Sequence, residues 1–197
     1  MKGCLLARHG ETEWNREGRR QGQLDSPLTA TGRSSVQRLA SELAGAPIDG
    51  VFSSPLGRAV ETASVYAEAL HLAVEVVDQL KELDHGAMAG LTNAEIEARF
   101  PGELARRRRS RYTWRFPGGE SYADADARAG VALEIVRNRG AEMPLLVSHE
   151  MIGRMLLRNL LGIDVGEALK LSQPPGAVYQ LDLVEKSFVT LRLDSPP

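Results

Sequence analysis

Short apolar runs that stop at polar, glycine-bearing turns and then give way to helical spacing recur along this chain. That alternation is what most restricts the folds open to it. Gly3 to Arg8 reads as a short buried strand, ending in Arg8-His9-Gly10-Glu11-Thr12. Pro27-Leu28-Thr29 opens a helix with Thr29 or Thr31 at the N-cap. Val36, Leu39, Ala40 and Leu43 follow at helical spacing until Gly45 to Pro47 stops them. Val51-Phe52-Ser53 is a second strand. Ser54-Pro55 starts the next helix, serine at the cap and proline in the first turn, running to about Leu70. Leu72 to Val77 reads as a third strand and Thr92 to Phe100 as a helix. After the turn Gly118-Gly119-Glu120-Ser121 come a helix over Tyr122 to Arg139 and a strand over Met143 to Val147. An apolar helix over Met151 to Leu161 is closed by Gly162. Ala177 to Leu183 and Phe188 to Leu193 read as a final antiparallel pair. Strands alternating with helices predict one α/β layered domain over residues 1–197, with ligands beyond the carboxyl ends of the strands.

Composition narrows the function classes. The 197 residues suit a single domain with a sizeable core, and 43% hydrophobic content argues against disorder. A net charge of −2 argues against a general nucleic-acid binder. The single cysteine, Cys4, excludes a disulfide within the chain and a multi-cysteine zinc site. No apolar stretch reaches the roughly 18 residues of a membrane span, and the run after Met1-Lys2-Gly3 is too short for a secretory signal. The expectation is a cytoplasmic enzyme or binding domain with no nucleic-acid or membrane partner; a homodimer is left open.

The strand ends carry the chemistry. One strand ends in Arg8-His9, another gives way to Ser53-Ser54-Pro55-Leu56-Gly57-Arg58, and a late one ends in Ser148-His149. Two of only four histidines thus occupy one structural context. If these strands are neighbours, two arginines and two histidines converge on one pocket. Paired guanidinium forks suit a phosphate group. Helix N-termini after Pro55 and His149 would add free amides and favourable dipoles. A neutral imidazole there can attack phosphorus, while the second histidine stabilises phosphoryl charge.

The stretches "ARHGETEWN", "SSPLGRAVETA" and "VSHE" resemble the histidine phosphatase superfamily, also called phosphoglycerate mutase-like. The likeness continues through "GQLDSPLTATG", "LKELDHGAMAGLT" and "FPGGESY", in the family's order over most of the chain. It implies a mixed, mostly parallel central sheet flanked by helices on both faces. His9 would be the phosphorylated nucleophile; Arg8, Arg58 and His149 would bind the transferred phosphoryl group. Asn15, Gln21 and Gly22 would line the phosphate or substrate pocket. Glu82, in "LKELDHG", would be the acid-base residue, with Asp84 and His85 as nearby competitors. The resemblance implies no metal and no organic cofactor.

Within the family the expected activity is hydrolysis of a small phosphorylated metabolite through a covalent phosphohistidine. Phosphoglycerate mutase-type transfer is an alternative. Against it, Glu82-Leu83-Asp84-His85-Gly86 lacks the basic and tyrosine pattern that holds the phosphoglycerate carboxylate in the mutases. A non-catalytic phospholigand-binding module is a second alternative, countered by the presence of all four core residues. A protein phosphohistidine phosphatase is a third reading, weakened because such members are usually smaller. Glu150 stands where the family usually has glycine; a helix-end role is favoured over contact with substrate. A cap segment is expected around 91–119, its basic stretch Arg106 to Arg111 reading as a solvated face. His71 is expected at the surface, Trp14 and Trp114 in packing, and Glu120 as a cap of the helix after it.

Overall fold

The apolar runs become neighbouring strands of one six-stranded sheet in a computed structural model that describes residues 1–191. The strands are β1 (Gly3–Arg8), β2 (Gly50–Ser53), β3 (Val74–Val76), β4 (Pro144–Ser148), β5 (Val178–Asp182) and β6 (Ser187–Leu191). Their order is β3-β2-β4-β1-β5-β6. The first four run parallel, while β5 is antiparallel to β1 and β6 to β5. In this register Arg8 is level with Ser148, and Ser53 with Val147, so three strands end side by side.

Alternation along the strands explains why both faces are covered. In β1, Cys4 and Leu6 point into one core and Leu5 and Ala7 into the other, as a period of two requires. The second core is closed by α2 (Ala30–Leu43) and α3 (Gly57–Leu70), through Val36, Leu39, Ala59 and Tyr66. The first is closed by α6 (Tyr122–Asn138) and α7 (Glu150–Leu161), through Ala129, Leu133, Ile152 and Met155. Leu146 in β4 is fully buried, so Leu146→Ala would cost about 2–5 kcal/mol in lost transfer energy and cavity.

The remaining helices are short: α1 (Glu13–Glu17), α4 (Asn93–Arg99), α5 (Glu103–Arg109) and α8 (Val165–Lys170). Two of them, α1 and α8, carry too few residues to show an apolar period. The third strand, expected over Leu72 to Val77, is only three residues long and forms one edge of the sheet. The last predicted strand is found as β6, starting one residue earlier; Arg192 and Leu193 lie outside the described residues. Thr29 is the cap of α2, its hydroxyl accepting from Gly32 N. Two expected caps are corrected. Helix α3 starts at Gly57, after Pro55, and Leu56 stands at its N-cap; Ser54 is drawn into another bond described below. Ser121, in a capping box with Asp124, caps α6, and Glu120 instead forms an ion pair with Arg128. Among the described residues no helix is long and apolar enough to cross a membrane.

Candidate active site

The ends of β1 and β4 bring His9 and His149 together, their ring centroids 5.2 Å apart and their planes tilted by 55°. His9, Arg58 and His149 are buried, and Arg8 nearly so. Gly10 lets the chain turn against α2: a Cβ there would lie 3.2 Å from Gly32 O. The Gly10 carbonyl is 2.8 Å from His9 Nδ1, and since a carbonyl only accepts, Nδ1 must carry the proton. That tautomer leaves the Nε2 lone pair free. Burial first, then the positive charges of Arg58 and Arg8, push the His9 pKa well below 6.5 and keep the ring neutral. His149 is lowered likewise, by burial, Arg58 and His9 in that order. Its Nε2 lies 2.8 Å from Ser54 Oγ, and its Nδ1 is buried with no partner among the described residues.

The two arginines are fixed by carbonyls. Arg58 donates to Leu24 O at 2.7 Å, to Gly22 O at 2.8 Å and to Asp25 Oδ1 at 2.8 Å. Arg8 donates to Gln173 O at 2.7 Å and to Glu150 Oε2 at 3.0 Å. The Nε of each is buried and unpartnered among the described residues. Glu150 sits in the first turn of α7, but its carboxylate bridges Arg8 and Arg154. Its role is therefore wider than the helix-end one expected: it partly neutralises an arginine of the pocket.

The expectation of free helix amides is corrected. At α3, Gly57 N and Arg58 N donate to the carboxylate of Asp25. At α7, Met151 N and Ile152 N donate to Glu82 Oε2 and Oε1 at 3.1 and 3.0 Å. A carboxyl oxygen at a helix N-terminus accepts from the unpaired N–H groups there, so each end is already occupied by a side chain of this protein. An incoming anion must be met by side chains instead. Leu83 N also donates to Glu82 Oε1, and Oε2 accepts only one N–H. The loop bearing Glu82 is clamped from α6: Arg128 donates to Gln79 O and Lys81 O, both at 2.7 Å, and pairs with Glu120.

These groups surround a cavity of about 180 Å³ lined by Arg8, His9, Asn15, Gln21, Gly22, Arg58, Glu82 and others. It is smaller than the roughly 300–1,000 Å³ common for drug-sized ligands. His149 is not among its lining residues. Asn15 Oδ1 is held by Thr12 N and Oγ1 in the capping box of α1, and Gln21 Nε2 donates to Thr12 Oγ1. Gly22 has φ +55°, and a Cβ there would lie 2.9 Å from His85 Cβ. Arg19, Arg20 and Met151 also line the cavity, which sequence reasoning missed, and so do Glu150 and His85, the latter named as a competitor of Glu82. Asp84 does not line it; its carboxylate closes a turn on Gly86 N. His85 stacks on Phe116 at 4.3 Å, and burial, followed by Arg20 and Arg107, lowers its pKa to about 3. Trp114 packs edge-on against Phe116, and exposed His71 ends α3 in the left-handed conformation. The basic stretch divides: Arg106, Arg108 and Arg109 are exposed, whereas Arg107 turns inward over Phe116. Among the described residues no group of three or more His, Cys, Asp or Glu side chains is arranged to hold a metal ion.

A neutral imidazole flanked by two buried guanidinium groups at the carboxyl end of an α/β sheet is the equipment of a protein that handles phosphoryl groups. The chain belongs to the histidine phosphatase superfamily (branch 1), whose sequence model matches residues 4–195. It is 34% identical over 195 residues to "Phosphoserine phosphatase 1" of Hydrogenobacter thermophilus, covering 98% of this chain and 92% of that one. It is 32% identical over 193 residues to "Probable phosphoglycerate mutase GpmB" of Salmonella choleraesuis, covering 96% and 88%. The fold superposes with TM-score 0.82 on a mycobacterial glucosyl-3-phosphoglycerate phosphatase complexed with VO3, at 30% identity and 98% and 97% coverage.

Proposed function

We propose that this protein is a phosphomonoesterase acting on a small phosphorylated metabolite through a phosphohistidine at His9. The observation that carries the reading is the tautomer of His9: Nδ1 is bound to the Gly10 carbonyl, and Nε2 belongs to a neutral ring beside two arginines. The Nε2 lone pair attacks phosphorus, a P–N bond forms and the P–O ester bond breaks. Protonated Glu82 gives its proton to the departing oxygen. Water then attacks phosphorus and loses a proton to Glu82, the P–N bond breaks, and inorganic phosphate leaves with His9 restored. Arg8 and Arg58, which line the cavity and keep an unpartnered Nε, supply hydrogen bonds to the phosphoryl oxygens, and His149, 5.2 Å from the His9 ring, stabilises the phosphoryl charge from behind them. Asn15, Gln21 and Gly22 shape the pocket, and residues 91–119 cap it. The phosphatase-named relatives support hydrolysis as the overall outcome.

The test is hydrolysis of p-nitrophenyl phosphate by purified protein after dialysis against a chelator. Turnover is expected to survive, because arginine and histidine meet the phosphoryl charge. Loss of turnover restored by magnesium or zinc would overturn the assignment of that clamp. With 3-phosphoglycerate and a bisphosphate primer, isomerisation should be slower than hydrolysis of the best phosphomonoester; the reverse ratio would favour the mutase reading.

A further inference from the structure

Glu150 follows His149 directly and lines the cavity, yet phosphoryl transfer gives it no task. Its carboxylate joins two arginines. Oε2 accepts from Arg8 Nη1 at 3.0 Å, and Oε1 accepts from Arg154 Nη2. Arg154 is held elsewhere as well: its Nε donates to Leu171 O at 2.7 Å and its Nη1 to Tyr122 Oη at 2.8 Å.

The bonds of Arg8 show which edge is left for a ligand. Nη1 carries two hydrogens, and Glu150 Oε2 and Gln173 O, the latter at 2.7 Å, take both. Nε is buried without a partner among the described residues. The Nε–Nη2 edge is therefore the one a phosphoryl group meets, in the forked geometry a guanidinium offers. Phosphate then has no need to displace Glu150. The carboxylate stays on the Nη1 side of the same guanidinium, a like charge beside the incoming dianion.

The other carboxylate of the cavity is placed differently. Only Glu82 and Glu150 are acidic among the lining residues. Glu82 is turned to the N–H groups of Leu83, Met151 and Ile152. Burial lowers the Arg8 pKa, and Glu150 is the largest charge opposing that effect. Charges a few ångströms apart in a partly buried site are screened much less than on an open surface.

We propose that Glu150 sets the affinity of the pocket for phosphate. It holds Arg8 by one edge, and its charge weakens the grip on the phosphate dianion, so that product leaves readily. The proposal rests on the phosphatase reading above, in which inorganic phosphate must leave once per turnover.

The experiment titrates inorganic phosphate calorimetrically into wild type and variants at mildly alkaline pH, where phosphate is chiefly the dianion. E150Q keeps an oxygen for Arg8 and removes the charge. Its Kd for phosphate should fall by about ten-fold or more. Its KM for p-nitrophenyl phosphate should fall in step while kcat does not rise, the mark of uniform binding. E150D keeps the charge and should stay within about three-fold of the wild-type Kd. E134Q removes an exposed carboxylate from α6 and should leave Kd unchanged. A Kd that is unchanged or raised in E150Q, or lowered equally by E134Q, overturns the proposal and leaves the phosphatase reading standing. Equal tightening in E150D and E150Q would assign the effect to shape instead of charge and overturn it likewise. Phosphate binding to neither wild type nor E150Q would instead remove the phosphoryl site itself.

Discussion

His9 and His149 hang from the ends of two paired parallel strands in the middle of the sheet, whereas Arg20 and His85 reach the pocket at His9 from a loop and the start of a single turn. The floor is held by the two cores that bury β1 and β4 on both faces. The outer wall is held by individual polar contacts: Arg20 on Asn93, Arg128 on the carbonyls before Glu82, and Arg107 over Phe116. Dense apolar packing fixes a position to a fraction of an ångström, while a wall pinned by side-chain hydrogen bonds can change with single substitutions. The difference teaches where the reaction is set and where its selectivity is set.

The largest expected effect comes from breaking the floor. His9→Ala should lower steady-state turnover by on the order of a thousand-fold or more for every phosphomonoester, as loss of a covalent nucleophile does. A substrate-dependent defect would instead put His9 with the wall.

Smaller effects are expected where floor and wall meet. Glu82→Gln should slow an alkyl phosphate by about 10²–10⁴-fold, but an aryl phosphate, whose leaving group is already acidic, by much less. Arg128→Lys keeps the charge but loses the guanidinium that joins Gln79 O and Lys81 O, through Nη1, to a forked pair with Glu120. It should reproduce the same leaving-group dependence at about ten-fold, and a uniform loss for both substrates would assign Arg128 to stability alone. Asp84→Asn should matter least; if it alone shows the leaving-group-dependent defect, the acid is misassigned.

How much of this division could be read from the chain follows from the same physics. Apolar runs that end in Arg8-His9 and Ser148-His149 announce strands and their carboxyl ends, because periodicity and termination are local properties. The capping of α7 by Glu82, 69 residues away, and of α3 by Asp25 has no local mark, so amides that looked free proved occupied. Glu150 likewise looked like a helix-end residue until β1 brought Arg8 beside it, 142 positions away. Arg107 was hidden in a run of arginines, where only its position relative to Phe116 distinguishes it from exposed neighbours.

The smallest effect concerns stability. Buried His9, His85 and His149 have pKa values below 6.5, so unfolded imidazoles bind protons that the native state does not. Stability should therefore be greatest above pH 6.5 and fall as pH drops from there towards about 3, where His85 itself titrates. A thermal-unfolding series should show Tm falling with acidification, less steeply in His85→Asn. An unchanged slope in that variant would remove His85 from the account.

The most direct measurement is a rapid acid-avoiding quench of wild type and His9→Ala after mixing with phosphoryl-labelled substrate. A burst of acid-labile, base-stable label on His9 in the wild type, absent from the variant, is the predicted result. Turnover without any labelled protein, or label retained in His9→Ala, would contradict a phosphohistidine at the end of β1.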